Sequence, residues 1–154
     1  MSLRLPALEP CPFCRYLDGV DPCAFVVRPA SVSAFMNRTQ YELGALLVVP
    51  NRHVVTLVDA SEEEMAEMAR VVRRLAKALE VALDPTGFNV FQNNGTPGGQ
   101  TVPHLHTHVV PRYHGSSAGR IFREGDFEIT PMAELEALAT TIRAELGETA
   151  ADQL

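Results

Sequence analysis

The stretch GGQTVPHLHTHVV, residues 98–110, sets His104, His106 and His108 at alternate positions directly behind a glycine-rich turn, in a chain with five histidines in all. In an extended segment, side chains two apart share one face at a repeat of about 6.6 Å, so three imidazoles line one surface. Three kinds of site use such a row. The imidazoles can hold a catalytic metal. One can act as a nucleophile with its neighbours as donors. Or a buried row can satisfy itself by hydrogen bonding and do no chemistry. The glycine loop favours phosphate chemistry, because loop amides cradle an anion while imidazole, with a pKa of about 6.5, supplies a nucleophile and donors near neutral pH. A carboxylate in the same place would repel a phosphate ester. A bond from a ring nitrogen to phosphorus is also labile enough for water to clear in a second step.

The elements that position these residues are legible from periodicity. Segments 24–28 and 31–35 are short apolar or alternating runs around Pro29 and read as two strands. GALLVVP, 44–50, is a continuous apolar run that suits a central strand covered on both sides. Residues 61–83 predict a helix, with Ser61 and Glu64 spaced as a capping box and an apolar stripe through Met65, Met68, Ala69, Val72, Leu75, Ala76, Leu79 and Leu83. GFNVFQN, 87–93, alternates as a strand, NNGTPGG is turn composition, and 103–111 reads as the strand that carries the histidines. Thr130 and Pro131 predict a cap and first-turn proline for a last helix reaching about Leu146. The expected class is α+β, an antiparallel sheet of about five strands with two main helices. At 154 residues and 46% hydrophobic, a single domain over 1–154 is expected, with its core at about 11–146 and a frayed tail at 147–154.

Composition excludes other classes. A net charge of −6 argues against nucleic acid and against an anionic membrane as partners, since both need a basic face. Among thirteen basic residues only Lys77 is a lysine, so a lysine phosphate clamp or Schiff base is disfavoured. No stretch approaches the roughly 18 apolar residues of a membrane span, and no signal-like segment opens the chain, so a cytoplasmic protein is expected. Cys11, Cys14 and Cys23 are an odd count that speaks against a disulfide framework and leaves metal or redox use open. Cys23 reads as buried and inert, Arg112 as solvated, and His114 as a surface loop residue.

NNGTPGGQTVPHLHTHVVPRY resembles the signature of the histidine triad family, which runs Asn-x-Gly, a short gap, Gly-Gln-(Ser/Thr)-Val and His-x-His-x-His. ELGALLVVPNRHV is similar to that family's strand ending in Pro-x-x-His, and CPFCRYLDG to the Cys-x-x-Cys start of many bacterial members. The resemblance implies a histidine-triad-like fold that dimerises into a homodimer, and a hydrolase or transferase acting on a purine mononucleotide or dinucleotide. It places His106 as nucleophile at the α-phosphorus, forming a nucleotidyl-histidine intermediate, with His108 on the phosphate and Gln100 near the leaving group. Asn93, Gly99 and Thr101 fall at phosphate-contacting positions and Asn37 at the ribose. It further implies a structural zinc ion (Zn2+) on Cys11, Cys14, His53 and His104, a closed tetrahedron without the open position of a catalytic metal.

Two residues depart from the family pattern. Thr107 occupies a triad spacer that is usually apolar, and Ala45 follows Gly44 where most members have histidine, so the hydrogen bonding around the site must differ here. Members specialised for nucleoside phosphoramidates usually carry Asp at the ribose position, whereas Asn37-Arg38 resembles the dinucleoside polyphosphate branch. With no tryptophan, the base is expected in an aliphatic slot built from Val26, Phe35 and Leu47. Alternatives stay open at this point: a nucleoside phosphoramidate hydrolase, a nucleotide-binding adaptor with incidental turnover, or a metallohydrolase with its metal on all three triad histidines.

Overall fold

The computed structural model describes residues 3–116 and 128–147. A short helix α1 (Pro12–Leu17) precedes strands β1 (Phe25–Val27), β2 (Val32–Met36) and β3 (Leu46–Pro50). Helix α2 (Glu62–Leu83), strand β4 (Gly87–Gln92), a single 3₁₀ turn (Thr96–Gly98), strand β5 (Thr107–Arg112) and helix α3 (Met132–Ala144) follow. The five strands form one antiparallel sheet in the order β1-β2-β3-β5-β4. β3 is central, and every residue of it is buried, as its unbroken apolar run requires.

The sheet separates two apolar clusters. Met68, Val71, Leu75, Ala78 and Leu79 of α2 and Leu135, Ala139 and Ile142 of α3 pack against Val26, Ala34, Leu46, Val48 and Val109 on one face. On the other face Phe35, Leu47 and Val49 meet Cys11, Phe13 and Tyr16 at α1. α2 begins where its polar signals place it: Ser61 Oγ accepts from the Glu64 amide at 3.1 Å, and the Glu64 carboxylate accepts from the Ser61 amide at 2.9 Å. Gly44 turns the chain into β3 with φ +85°, and a Cβ there would lie 2.5 Å from Leu83 Cδ1.

The starts of β5 and α3 differ from the sequence expectation. Ladder pairing in β5 starts at Thr107, so His104 and His106 precede the strand; the amide of Leu105 donates instead to Val54 O at 2.6 Å. Alternation survives this, with Leu105 facing the helices and the histidines facing away. α3 starts one residue later than its proline signal, with Pro131, which has no side-chain acceptor, at the cap position; the Thr130 amide donates to Arg38 O at 2.9 Å. The helical α1 joins the two main helices. Residues 148–154 of the expected frayed tail lie outside the described residues. Among the described residues no helix is long and apolar enough to cross a membrane.

Candidate active site and metal centre

On the α1 side of the sheet lies a cavity of roughly 780 Å³, within the size range of small-molecule sites. His106, His108, Asn37, Asn93, Gly99 and Thr101 all line it. The sequence-derived phosphate and ribose positions therefore converge on one concavity. Gly99 has φ +86°, and a Cβ there would come within 3.3 Å of Asn93 Nδ2, so only glycine fits the turn comfortably.

His106 is held through one ring nitrogen. Its Nδ1 lies 2.7 Å from the carbonyl oxygen of His104. A carbonyl only accepts, so Nδ1 carries the proton and the lone pair sits on Nε2. Burial holds the His106 pKa below its ordinary value, partly offset by that same backbone bond, and so favours the neutral ring. Phe13 meets the ring edge to face at 5.3 Å.

His108 is gripped on two sides. Phe91 stacks on it at 4.4 Å with planes 5° apart, and its Nδ1 lies 3.1 Å from the hydroxyl of Tyr41. Burial, with His106 close by, lowers its pKa to about 3, so at neutral pH it carries one ring proton.

His104 faces elsewhere. Its Nε2 donates to Pro50 O at 2.9 Å, which leaves Nδ1 as the lone-pair nitrogen. That nitrogen lies 3.6 Å from both Cys11 Sγ and Cys14 Sγ, and Cys14 Sγ lies 3.1 Å from His53 Nδ1. The four ligand atoms all fall within 4.8 Å of one another. A sulfur and a nitrogen bound to one tetrahedral zinc are about 3.5 Å apart, so the cluster has the size and donor set of a Cys2His2 centre. The Pro50 carbonyl supplies the outer hydrogen bond that orients a ligating imidazole. Burial, with Cys11 beside it, pushes the Cys14 thiol up to about 12, so it stays protonated unless a bound cation were to displace its proton.

Several expected placements are corrected. Gln100 is buried, its Oε1 accepts from the Gly95 amide at 2.8 Å and its Nε2 donates to Val55 O and Val102 O. Buried backbone groups need partners, and this amide satisfies one in the glycine loop, one just after it and one in the segment after β3. Val26 is on the helix face, because Phe25 pairs with Phe35 on the cavity side and the next residue points the opposite way. The cavity wall is aromatic rather than aliphatic, with Phe13, Tyr16, Phe35 and Tyr41 beside Leu47. Arg112 is not solvated but ion-paired with Glu42 at 3.4 Å, each side chain 14% exposed. Cys23 is half-buried, with its thiol pushed up to about 12 by burial, and His114 is exposed.

Tyr41, Phe91, Phe13 and Tyr16 were not anticipated as site residues. Phe13 and Tyr16 could have been, since they sit within CPFCRY, whose cysteines fix that segment against the sheet. Tyr41 lies in a polar loop without periodicity, and nothing local marks it.

The HIT domain family model matches residues 18–115. A solved structure described as a Zn-bound histidine triad family protein from Mycobacterium smegmatis superposes with a TM-score of 0.76 at 30% identity, over 93% of this chain and 97% of that one. Among curated relatives, the adenosine 5'-monophosphoramidase hnt1 of Schizosaccharomyces pombe is 32% identical over 102 residues, 66% of this chain and 74% of its own length. The AP-4-A phosphorylase of Mycobacterium tuberculosis is 40% identical over 93 residues, 60% of this chain and 48% of that protein.

Proposed function

The chain belongs to the HIT domain family, and on that premise we propose that it is a nucleotide hydrolase or transferase attacking the α-phosphorus of a nucleotide through Nε2 of His106. The observation that carries this reading is the 2.7 Å bond from His106 Nδ1 to His104 O, which leaves a lone pair on the ring of a cavity-lining histidine. In the first step that lone pair forms a nitrogen–phosphorus bond, and the bond from the α-phosphorus to the bridging atom breaks, its electron pair leaving with the remaining phosphate group. Water or phosphate then attacks phosphorus, the nitrogen–phosphorus bond breaks, and the imidazole is restored. His108 donates to a non-bridging oxygen. Asn93, Gly99 and Thr101 border the phosphate, and Asn37 the ribose. Gln100 serves by bracing the glycine loop.

The substrate class is dinucleoside polyphosphates or related nucleotides, a reading supported by Asn37-Arg38 at the cavity and by the likeness to an AP-4-A phosphorylase. The second reading, a nucleoside phosphoramidate, is supported by the likeness to a monophosphoramidase. The aromatic wall suits a stacked purine and offers area more than base-specific hydrogen bonds.

We place a structural zinc ion on Cys11, Cys14, His53 and His104; bound there it would tie the segment before β1 to the sheet and contribute folding free energy. Such a centre needs reduced thiols, which supports a cytoplasmic location. We further infer a single domain, since one sheet carries both apolar clusters, and a homodimer joined at the edge strand β4, whose Val90 is half exposed.

The test is direct. Full-length protein mixed with diadenosine tetraphosphate and quenched in alkali should gain the mass of one adenylyl group on His106, seen by peptide mass spectrometry. His106→Ala should show no adduct and lose at least about a thousandfold in kcat while still binding AMP. Turnover near wild type in that variant excludes the mechanism.

A further inference from the structure

We propose that Tyr41 is a positioning residue: its hydroxyl holds His108 with the single ring proton on Nε2, so that this histidine donates to the phosphate instead of presenting a lone pair to it. The inference rests on the nucleotide reading of the cavity.

The bond of 3.1 Å between Tyr41 Oη and His108 Nδ1 could run in either direction. The other side of the phenol decides it. Asn37 also hydrogen-bonds Tyr41. The Oδ1 of Asn37 is engaged by the Thr39 amide at 3.3 Å, which leaves the amide nitrogen of Asn37 for the phenol, and the bond from Asn37 favours the phenolate as a donor's would. That nitrogen only donates, so the phenol oxygen accepts from Asn37 and its own proton goes to His108 Nδ1. A neutral imidazole whose Nδ1 accepts must carry its proton on Nε2. The chain Asn37, Tyr41, His108, phosphate then runs donor to acceptor throughout, an arrangement in which each bond polarises the next. Burial pushes the Tyr41 hydroxyl up to about 12, so it keeps its proton over the working pH range.

The loop that carries Tyr41 is built to hold it still. Gln40 Nε2 donates to Asn37 O and Ala45 O, each at 2.7 Å, and Gln40 Oε1 accepts from the Gly44 amide at 2.9 Å. Arg112 pairs with Glu42, and Tyr113 Oη donates to Leu43 O at 2.9 Å. Phe91 meanwhile fixes the plane of His108.

The experiment reads histidine tautomers by nitrogen-15 NMR in full-length protein, with and without AMP. In wild type, His108 should be the Nε2–H tautomer. Tyr41→Phe should populate the Nδ1–H form and lower kcat about tenfold, with a smaller change in the AMP dissociation constant. Asn37→Asp removes the donor to the phenol, turns the hydroxyl towards the new carboxylate and should shift His108 the same way. Tyr113→Phe loosens the same loop without touching His108, and should leave its tautomer unchanged. An Nε2–H form that persists in Tyr41→Phe or Asn37→Asp overturns the proposal. So does an equal shift in Tyr113→Phe, which would assign the effect to loop order. If wild type turns over no nucleotide the functional reading fails, while the tautomers still decide the role of Tyr41.

Discussion

The carbonyl of His104 accepts the Nδ1 proton of His106 at 2.7 Å, while the imidazole of His104 belongs to the Cys/His cluster. One residue thus joins the proposed metal centre to the ring on the cavity wall through its own backbone. Protein purified without chelator should contain about one zinc per chain, and Cys14→Ser should lose it. Stripping the metal should lower the melting temperature and the turnover together, because the ligand that orients His106 loses its anchor. Metal-free protein with an unchanged melting temperature excludes a structural centre. Turnover abolished at unchanged stability points instead to a catalytic metal on the triad.

The substrate branch is decided by comparing kcat/KM for diadenosine tetraphosphate and adenosine phosphoramidate under one set of conditions. The dinucleotide is expected to be the better substrate, releasing AMP. A phosphoramidate value more than about tenfold higher, a difference of about 1.4 kcal/mol in transition-state binding, reverses the assignment.

Light scattering at micromolar concentration should give twice the 16.8 kDa chain mass. β4 ends the sheet, and Val90 on it is 50% exposed, so Val90→Lys should weaken edge pairing and shift the mass towards the monomer. The monomer mass in wild type removes the dimer.

His108 sets a stability term with a definite sign. Its pKa falls to about 3 on folding, from an ordinary value of about 6.5. The unfolded chain therefore takes up a proton that the folded chain refuses, and stability is lost as pH drops from about 6.5 towards 3. In His108→Asn this term is gone, so the gap in melting temperature between wild type and variant should narrow between pH 7 and about pH 5. A gap that stays constant, measured in the same metal-loaded state, contradicts the burial of a neutral ring.

Much of the site could be read before the fold. Alternate spacing turns the triad histidines away from the helices, and His106 and His108 share the cavity wall with Gly98 and Gly99. The capping box of α2 was equally local, and its helix starts after Ser61. What escaped depends on contacts between distant segments. Val71 and Ala78 are buried and Ala69 is exposed because the axis of α2 settles on the sheet a fraction of a turn from the stripe chosen by hydropathy. Gln100 turned to the loop because Val55 O and the Gly95 amide needed partners, which no spacing reveals. Tyr41 reaches His108 across 67 positions of sequence, through a loop whose shape is fixed by Arg112 and Tyr113 from another strand's end.

The stretch before α1 also bears on how the protein is handled. Arg4 O accepts from the Thr96 amide at 2.8 Å, and a Cβ on Gly95 would come within 3.0 Å of the same oxygen. An affinity tag fused ahead of this stretch would be joined to a segment hydrogen-bonded to the glycine loop, so its removal is expected to alter the cavity's border. Kinetics gathered on tagged and untagged protein should therefore diverge in KM before they diverge in anything that depends on the histidines.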